Sequence, residues 1–503
     1  MSYPLTDEQQ AIVAAVDTGA DVNGNAGAGT GKTSTSVAVV STPRSKKMKI
    51  GYFVFNKKNQ VEAEAKMPPH VSCKTFHSLA FSPYGATMKH RLNNNTRMRA
   101  TDLAARMGLS AVNVRLTDGT VEEFHPVFLA GLVTQGLKRF AASDDAKPVK
   151  HHVPFTPVKV EADRFAVNDA IRAEVVPAMQ RAWADIMSKG GSLPYEHDYY
   201  LKAMHLAVLR GEVAPRFDMV IVDEAQDSSP CRLAIARALG KQLVLIGDSN
   251  QMIYEWNGSV DVLTLPSTSH AVKLNLSQSF RFGPAVAEVA NLCLGKLPTD
   301  LVLKGFDQLP TTINGDVEPN AILCRTNGGV LAQVIDNIDR KRTYVVGDVA
   351  DLLKFVEGCA DLQAGKRTTH SDLRIFSDWN DCTSIVASDD AFSDLRTMIK
   401  LVKDHGTGKL MTALRQCSDE RGAELTISTI HKSKGAEWDN VRLAADIVAP
   451  QDTDLPAWRL LYVAVTRAQR NLDLSVCPAF TVTDGKVALA PYTPPESKKS
   501  KRG

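Results

Sequence analysis

Four short apolar runs constrain the fold more than anything else in the chain: KIGYFVF (49–55), FDMVIVD (217–223), KQLVLIGD (241–248) and AELTIST (423–429). Each is rich in Val, Ile, Leu, Tyr or Phe and ends in polar residues. A short continuous apolar run of this kind is buried on both faces, which is the condition of a strand in a parallel sheet. The polar ends then enter the loops at the carboxyl edge of the sheet, where α/β proteins bind ligands. Helical segments such as DEQQAIVAAVDTG and GPAVAEVANLCLGKL separate the runs. The alternation predicts an α/β fold, and 503 residues are too many for one compact domain.

Two intervals read differently. From 87 to 204 the segments TRMRATDLAARMGLS and IRAEVVPAMQRAWADIMSKG are helical, with a polar, proline-dotted stretch between them. From 349 to 420, DLLKFVEGCADL and DLRTMIKLVKDHG are helical as well. Both intervals are expected to be mainly helical insertions. The tail from 491 to 503, with TPPESKKSKRG, has the composition of a basic, disordered segment.

Composition excludes some classes. Hydrophobic residues at 44% and charged residues at 23% describe a soluble globular protein. The net charge of +3 is too mild to announce a nucleic-acid partner by itself. The eight cysteines include no C-x-x-C pair, so a zinc ribbon or iron–sulfur cluster is not expected. No apolar run approaches a bilayer span, and the start MSYPLTDEQQ has no apolar signal core. A cytoplasmic or nucleoid-associated location is expected, or the host cytoplasm for a viral protein, with no membrane contact.

The chemistry sits in three places. In GNAGAGTGKTSTS (24–36), Gly27, Gly29 and Gly31 let the backbone curl so that its N–H groups face a phosphate. Lys32 is suited to reach the β and γ phosphates, the Thr33 hydroxyl to bind Mg²⁺, and a helix starting here directs its positive end at the anion. Asp223 and Glu224 follow directly on a buried run, where an ATPase needs one carboxylate for Mg²⁺ and one to polarise water. A third run ends at Gly247-Asp248, with Gln251 placed to sense a γ-phosphate. Tyr254 and Trp256 lie just beyond it; such a pair is either core or a stacking surface for bases.

The ordered series LTDEQQAIV (5–13), AGAGTGKT (26–33), FVFNKKNQ (53–60), KTFHSLA (74–80), VDEAQD (222–227), GDSNQMIYEWNGS (247–259), LSQSFRFG (276–283), TISTIHKSKGAEWDNV (426–441) and LLYVAVTRA (460–468) resembles the motifs of superfamily 1 DNA helicases of the UvrD/Rep/PcrA type. LNLSQSFRFGPAVAEVAN, AILCRTN and IHKSKGAEWD are most similar to the F-box DNA helicase branch, although no F-box-like segment precedes the motifs.

The resemblance implies two RecA-like motor domains with ATP in the cleft between them. The first covers 1–86 and 205–275 with its insertion at 87–204, and the second covers 276–348 and 421–490 with a short insertion at 349–420. It implies that Gln9 reads the adenine edge, Phe280 stacks on adenine, Glu437 approaches the ribose, and Arg281 and Arg467 act on the γ-phosphate. Phe55, Tyr254 and Trp256 would stack on single-stranded DNA, with Thr75, His77 and His431 near its backbone; His77 reads equally well as a helix-start histidine. Ser34 stands beside the nucleotide where several members carry an arginine over the adenine.

The implied activity is ATP- and Mg²⁺-dependent movement, 3′ to 5′, along single-stranded DNA, with unwinding of duplex at single-strand/double-strand junctions. It would serve replication, repair or recombination and run as a monomer, with a recombinase or single-strand-binding protein as a further partner. A translocase that strips proteins from DNA shares the same motor. A helicase–nuclease is not expected, because no nuclease constellation follows the last motif, and an ATP-binding scaffold would not need the full set of carboxylates and arginines.

Overall fold

The computed structural model describes residues 4–92, 98–158, 160–254, 260–347, 349–388 and 393–493. Two compact units divide the chain: 1–26 with 31–276, and 27–30 with 277–503.

The first unit is built on six strands: β1 (Val22–Ala26), β2 (Ile50–Val54), β3 (Val71–Thr75), β6 (Phe217–Asp223), β7 (Gly240–Gly247) and β8 (Val272–Leu276). They lie in the order β3-β2-β6-β7-β1-β8, and every pairing is parallel. The three apolar runs expected to be strands here are β2, β6 and β7. All five residues of β2 are buried, as burial on both faces of a parallel sheet requires. One face packs on Ile12, Val16, Val39 and Val40 from the helices Asp7–Asp17 and Lys32–Val40.

The other face of the same sheet shares a core with the interval from 87 to 204. Phe53, Val220 and Val222 belong to one cluster with Leu129, Leu137, Ile171 and Met179. These come from the helices Pro126–Ala142 and Arg164–Met187. The insertion is mainly helical, with one feature the sequence reading did not include: an antiparallel hairpin of β4 (Val112–Arg115) and β5 (Val121–Phe124). Its alternating Val and polar residues are too short a run to be told from loop.

The second unit repeats the parallel design with β9 (Thr312–Ile313), β10 (Ala321–Cys324), β11 (Thr343–Val345), β12 (Leu425–Thr429), β13 (Trp438–Leu443) and β14 (Ala468–Asp473). The order is β11-β12-β10-β13-β14-β9. Helices Val349–Gln363, Ser393–His405 and Thr407–Arg415 from the second interval pack into one core with Ile322, Ile427 and Val334. A hairpin of β15 (Phe480–Thr483) and β16 (Lys486–Leu489) follows. The basic tail lies outside the described residues from 494 onward. The eight cysteines are all free thiols, and all but Cys417 are buried. Among the described residues, no helix is long and apolar enough to cross a membrane.

Candidate functional site

The strand order brings the first cluster together. Adjacent strands β2, β6, β7 and β1 end side by side, and each delivers one group at its carboxyl end or in the loop after it. Tyr52 comes from β2, Asp223 from the end of β6, Asp248 from just after β7, and Lys32 from the first turn of the helix that follows β1. Neighbouring strands lie about 4.8 Å apart, so side chains on four consecutive ends reach one another.

Lys32 Nζ is 2.9 Å from Glu224 Oε2. The same carboxylate oxygen accepts from Gln226 Nε2 at 2.6 Å. Gln226 is fully buried, and its Oε1 accepts the backbone N–H of Asp248 at 2.9 Å. Gln251 Nε2 donates to Asp248 Oδ2 at 2.7 Å, and the Tyr52 hydroxyl donates to Asp223 Oδ2 at 2.7 Å. Glu224 sits in the left-handed region, with φ 51° and ψ 46°, where a residue with a Cβ is strained. Such strain persists when the surroundings over-determine it, and it clusters at functional sites.

The charges do not balance. Three carboxylates, Asp223, Glu224 and Asp248, face one ammonium. Burial pushes the Asp223 and Asp248 carboxyls above the usual carboxylate range, with the Glu224 charge adding to it, although Lys32 pulls both back. Burial draws the Lys32 ammonium down, but Glu224, Asp248 and Asp223 outweigh it and hold Lys32 above the ordinary lysine value. A surplus of carboxylates in a poorly hydrated site fits a divalent cation, with Asp223 and the Thr33 hydroxyl as oxygen donors of the type Mg²⁺ prefers.

The N-terminus of the helix Lys32–Val40 adjoins it. Gly31 caps the helix Lys32–Val40 with φ 78° and offers no side chain to its first N–H groups. Gly29 has φ 74°, so both glycines occupy backbone space that other residues avoid. Gln9 is buried beside this helix and donates to Thr35 Oγ1 at 3.1 Å, while a reciprocal cap with Thr6 fixes the start of its own helix. Ser34, in the same first turn, is exposed.

The residues expected to meet DNA divide. The Phe55 and Tyr254 rings are parallel within 5°, with centroids 6.1 Å apart. Thr75 is committed locally: its Oγ1 caps the short helix Phe76–Ala80 by accepting from Ser78 N at 3.0 Å. His77 pairs with Asp198 at 3.0 Å and meets the Tyr200 ring edge-on. Trp256 lies outside the described residues.

The second unit holds its own cluster. Arg281 Nε is 2.5 Å from Glu437 Oε2, and Arg281 Nη1 donates to Thr466 O at 3.1 Å. Gln469 Nε2 donates to Glu437 Oε1 at 2.8 Å. Arg467 is 1% exposed. Its guanidinium donates to Val463 O, Ala436 O and Thr466 Oγ1 at 2.9, 3.1 and 3.0 Å. Three residues with separate sequence-level roles thus form one network, in which Glu437 holds Arg281. Phe280 lies against Phe306 with centroids 5.4 Å apart. His431 lies in the short helix Ile430–Ser433, and burial with the nearby Arg325 charge holds its imidazole below the usual value.

Tyr52, Gln226 and Asp248 were not singled out from the sequence as site residues. A tyrosine inside KIGYFVF reads as apolar bulk, and Gln226 looks like part of a surface turn. The signal for Asp248 was present, since it ends an apolar run as Asp223 does.

Two family profiles match the chain: the UvrD/REP helicase N-terminal domain over residues 197–269 and the UvrD-like helicase C-terminal domain over residues 424–474. Among curated relatives, F-box DNA helicase protein 1 of Schizosaccharomyces pombe is 27% identical over 480 residues, 85% of this chain and 52% of that protein. F-box DNA helicase 1 of Gallus gallus is 28% identical over 475 residues, 84% of this chain and 44% of that protein. DNA helicase IV of Escherichia coli is 25% identical over 173 residues, 31% of this chain and 25% of that protein. The chain spans about half the length of the two F-box relatives it matches. The carboxylates of β6 fall inside the first matched segment and Glu437 and Arg467 inside the second, so the segments that carry these groups are similar to the UvrD/Rep-type helicases.

Proposed function

We propose that the chain is an ATP-driven DNA motor that moves 3′ to 5′ along single-stranded DNA and separates duplex ahead of it. The observation that carries this reading is the Lys32–Glu224–Gln226–Asp248 network at the ends of adjacent parallel strands, with more carboxylate than ammonium. Mg²⁺ would supply the missing positive charge, and ATP the phosphates that Lys32 is suited to meet. Asp223 and Thr33 hold the cation, Glu224 orients and deprotonates the attacking water, and Gln251 senses the γ-phosphate. Arg281 and Arg467 stabilise charge that develops on the transferred group. Gln9, Ser34, Phe280 and Glu437 belong to the nucleoside end.

Phe55 and Tyr254 act as platforms for bases, which suits sequence-tolerant binding of a single strand. Trp256 is assigned the same role, and His77 and His431 are assigned to the backbone. The intervals 87–204 and 349–420 are accessory subdomains of the two motors.

The test is strand separation on 3′-tailed against 5′-tailed duplexes with ATP and Mg²⁺, run beside ATP turnover with and without single-stranded DNA. Unwinding of the 3′-tailed duplex alone, with DNA-stimulated turnover, is expected. Turnover indifferent to DNA would sink the motor reading, and unwinding of only the 5′-tailed duplex would reverse the polarity.

A further inference from the structure

Arg232 is out of place by the rules of helix electrostatics. It lies in the first turn of the helix Pro230–Leu239, where the backbone N–H groups make the local field positive and where cations are disfavoured. Its contacts account for the position. The Arg232 guanidinium lies over the Phe55 ring, 5.6 Å from the centroid. Nη1 reaches the carbonyl of Asp227 at 3.5 Å, the last residue of the turn Ala225–Asp227 that follows Glu224. Asp227 N in turn donates to Glu224 O at 3.0 Å. Asp198 is also within its field: the His77 hydrogen bond, with the charges of His77 and Arg232 behind it, keeps that carboxyl below the usual range despite burial.

A small void of about 10 Å³ lies beside the ring and the guanidinium. Phe55, His77 and Arg232 line it together with Asp223 and Glu224. One side chain therefore touches an aromatic ring assigned to bases and the backbone turn that carries the assigned water-activating carboxylate.

We propose that Arg232 is a positioning residue that relays the state of the Phe55 ring to the turn carrying Glu224. The inference rests on the motor reading above. A base stacking on Phe55 competes with the guanidinium for the ring face. The guanidinium, displaced from the ring, leans on its other partners, the Asp227 carbonyl and the field of the Asp198 carboxylate, and the 224–227 turn moves with it. Coupling of this kind needs an element with two arrangements that both sites bias, and the Arg232 side chain supplies it.

The experiment compares wild type, Arg232→Met and Arg232→Lys in the full chain. It measures ATP turnover against oligothymidylate concentration, together with thermal melting. Arg232→Met is expected to keep basal turnover within about twofold and to lose most of the DNA-stimulated increment, with the half-saturating DNA concentration unchanged. Arg232→Lys, which keeps a cation over the ring, is expected to recover a large part of the increment. An unchanged increment in Arg232→Met overturns the inference. So does a raised half-saturation with full maximal stimulation, which makes Arg232 a DNA contact, or an equal fall of basal and stimulated rates with a lowered melting temperature, which makes it structural. Wild-type turnover that DNA does not stimulate overturns the motor reading itself, and this inference with it.

Discussion

The Lys32 ammonium stands 2.9 Å from the Glu224 carboxylate, so the cation suited to a phosphate is held by the acid assigned to activate water. Without nucleotide, each neutralises the other. Lys32→Ala is expected to abolish turnover and to cost about 3 kcal/mol at neutral pH, because Asp223, Glu224 and Asp248 lose their counter-ion. The pH dependence has a definite sign. Asp223 and Asp248 hold their protons more tightly folded than unfolded, so protonation favours the native state as pH falls through their raised pKa range. The folded Lys32 pKa is raised, so its own contribution is complete below the usual lysine value and fades only at higher pH. Denaturant melts at pH 5 and pH 7.5 should therefore show the deficit of Lys32→Ala shrinking at the lower pH. A constant deficit would mean that the carboxylates are not the source.

Glu224→Gln keeps the side-chain length and can still accept from Lys32 and Gln226. Nucleotide binding should survive, while turnover falls by about 10²–10⁴, the range for loss of a general base. Fluorescent-nucleotide titration and phosphate release check the two halves. Near-normal turnover would falsify the role assigned to Glu224.

Tyr52→Phe removes the 2.7 Å hydrogen bond to Asp223, together with the hydroxyl's contact with Ser36, and leaves the ring packed inside β2. The expected stability loss is about 1 kcal/mol. The sharper readout is the Mg²⁺ dependence of turnover. An Asp223 carboxylate with one donor fewer is less well oriented, so the half-saturating Mg²⁺ concentration should rise while maximal turnover changes little. A change confined to the maximal rate would separate Tyr52 from the metal site.

The apolar runs made β2, β6, β7 and β12 legible, because burial on both faces leaves an unambiguous composition. β1 was harder to read: VNGNA is polar, yet every position but Asn25 is buried. It survives in the sheet because Asn23 Nδ2 donates to the carbonyls of Leu263 and Thr268 at 3.0 and 3.3 Å, partners that no local pattern reveals. The same limit applies to the site. Lys32, Asp223 and Glu224 are fixed by local spacing, whereas the Tyr52–Asp223 and Gln226–Asp248 bonds depend on strand order. Thr75 shows the converse: a residue assigned to DNA by its motif spends its hydroxyl on capping a helix.

Arg281 and Arg467 share an assigned role but not an environment, and substitutions should separate them. Arg467 is buried, with its guanidinium bonded to two carbonyls and a hydroxyl of its own unit. Arg467→Ala leaves those acceptors unsatisfied and opens a void, at an expected cost of about 3 kcal/mol or more. Arg281 is better hydrated, and its partner Glu437 keeps the Gln469 bond when the arginine is removed. Arg281→Ala leaves Thr466 O short of one donor and should cost about 1 kcal/mol, less than Arg467→Ala. Both should lower turnover by about 10³ or more, as loss of an arginine finger does. Melting temperature beside turnover therefore distinguishes them: inactive and near-normal in stability for Arg281→Ala, inactive and destabilised for Arg467→Ala. If Arg467→Ala melts with wild type, its buried bonds contribute no net stability. If Arg281→Ala turns over normally, the γ-phosphate role belongs to Arg467 alone.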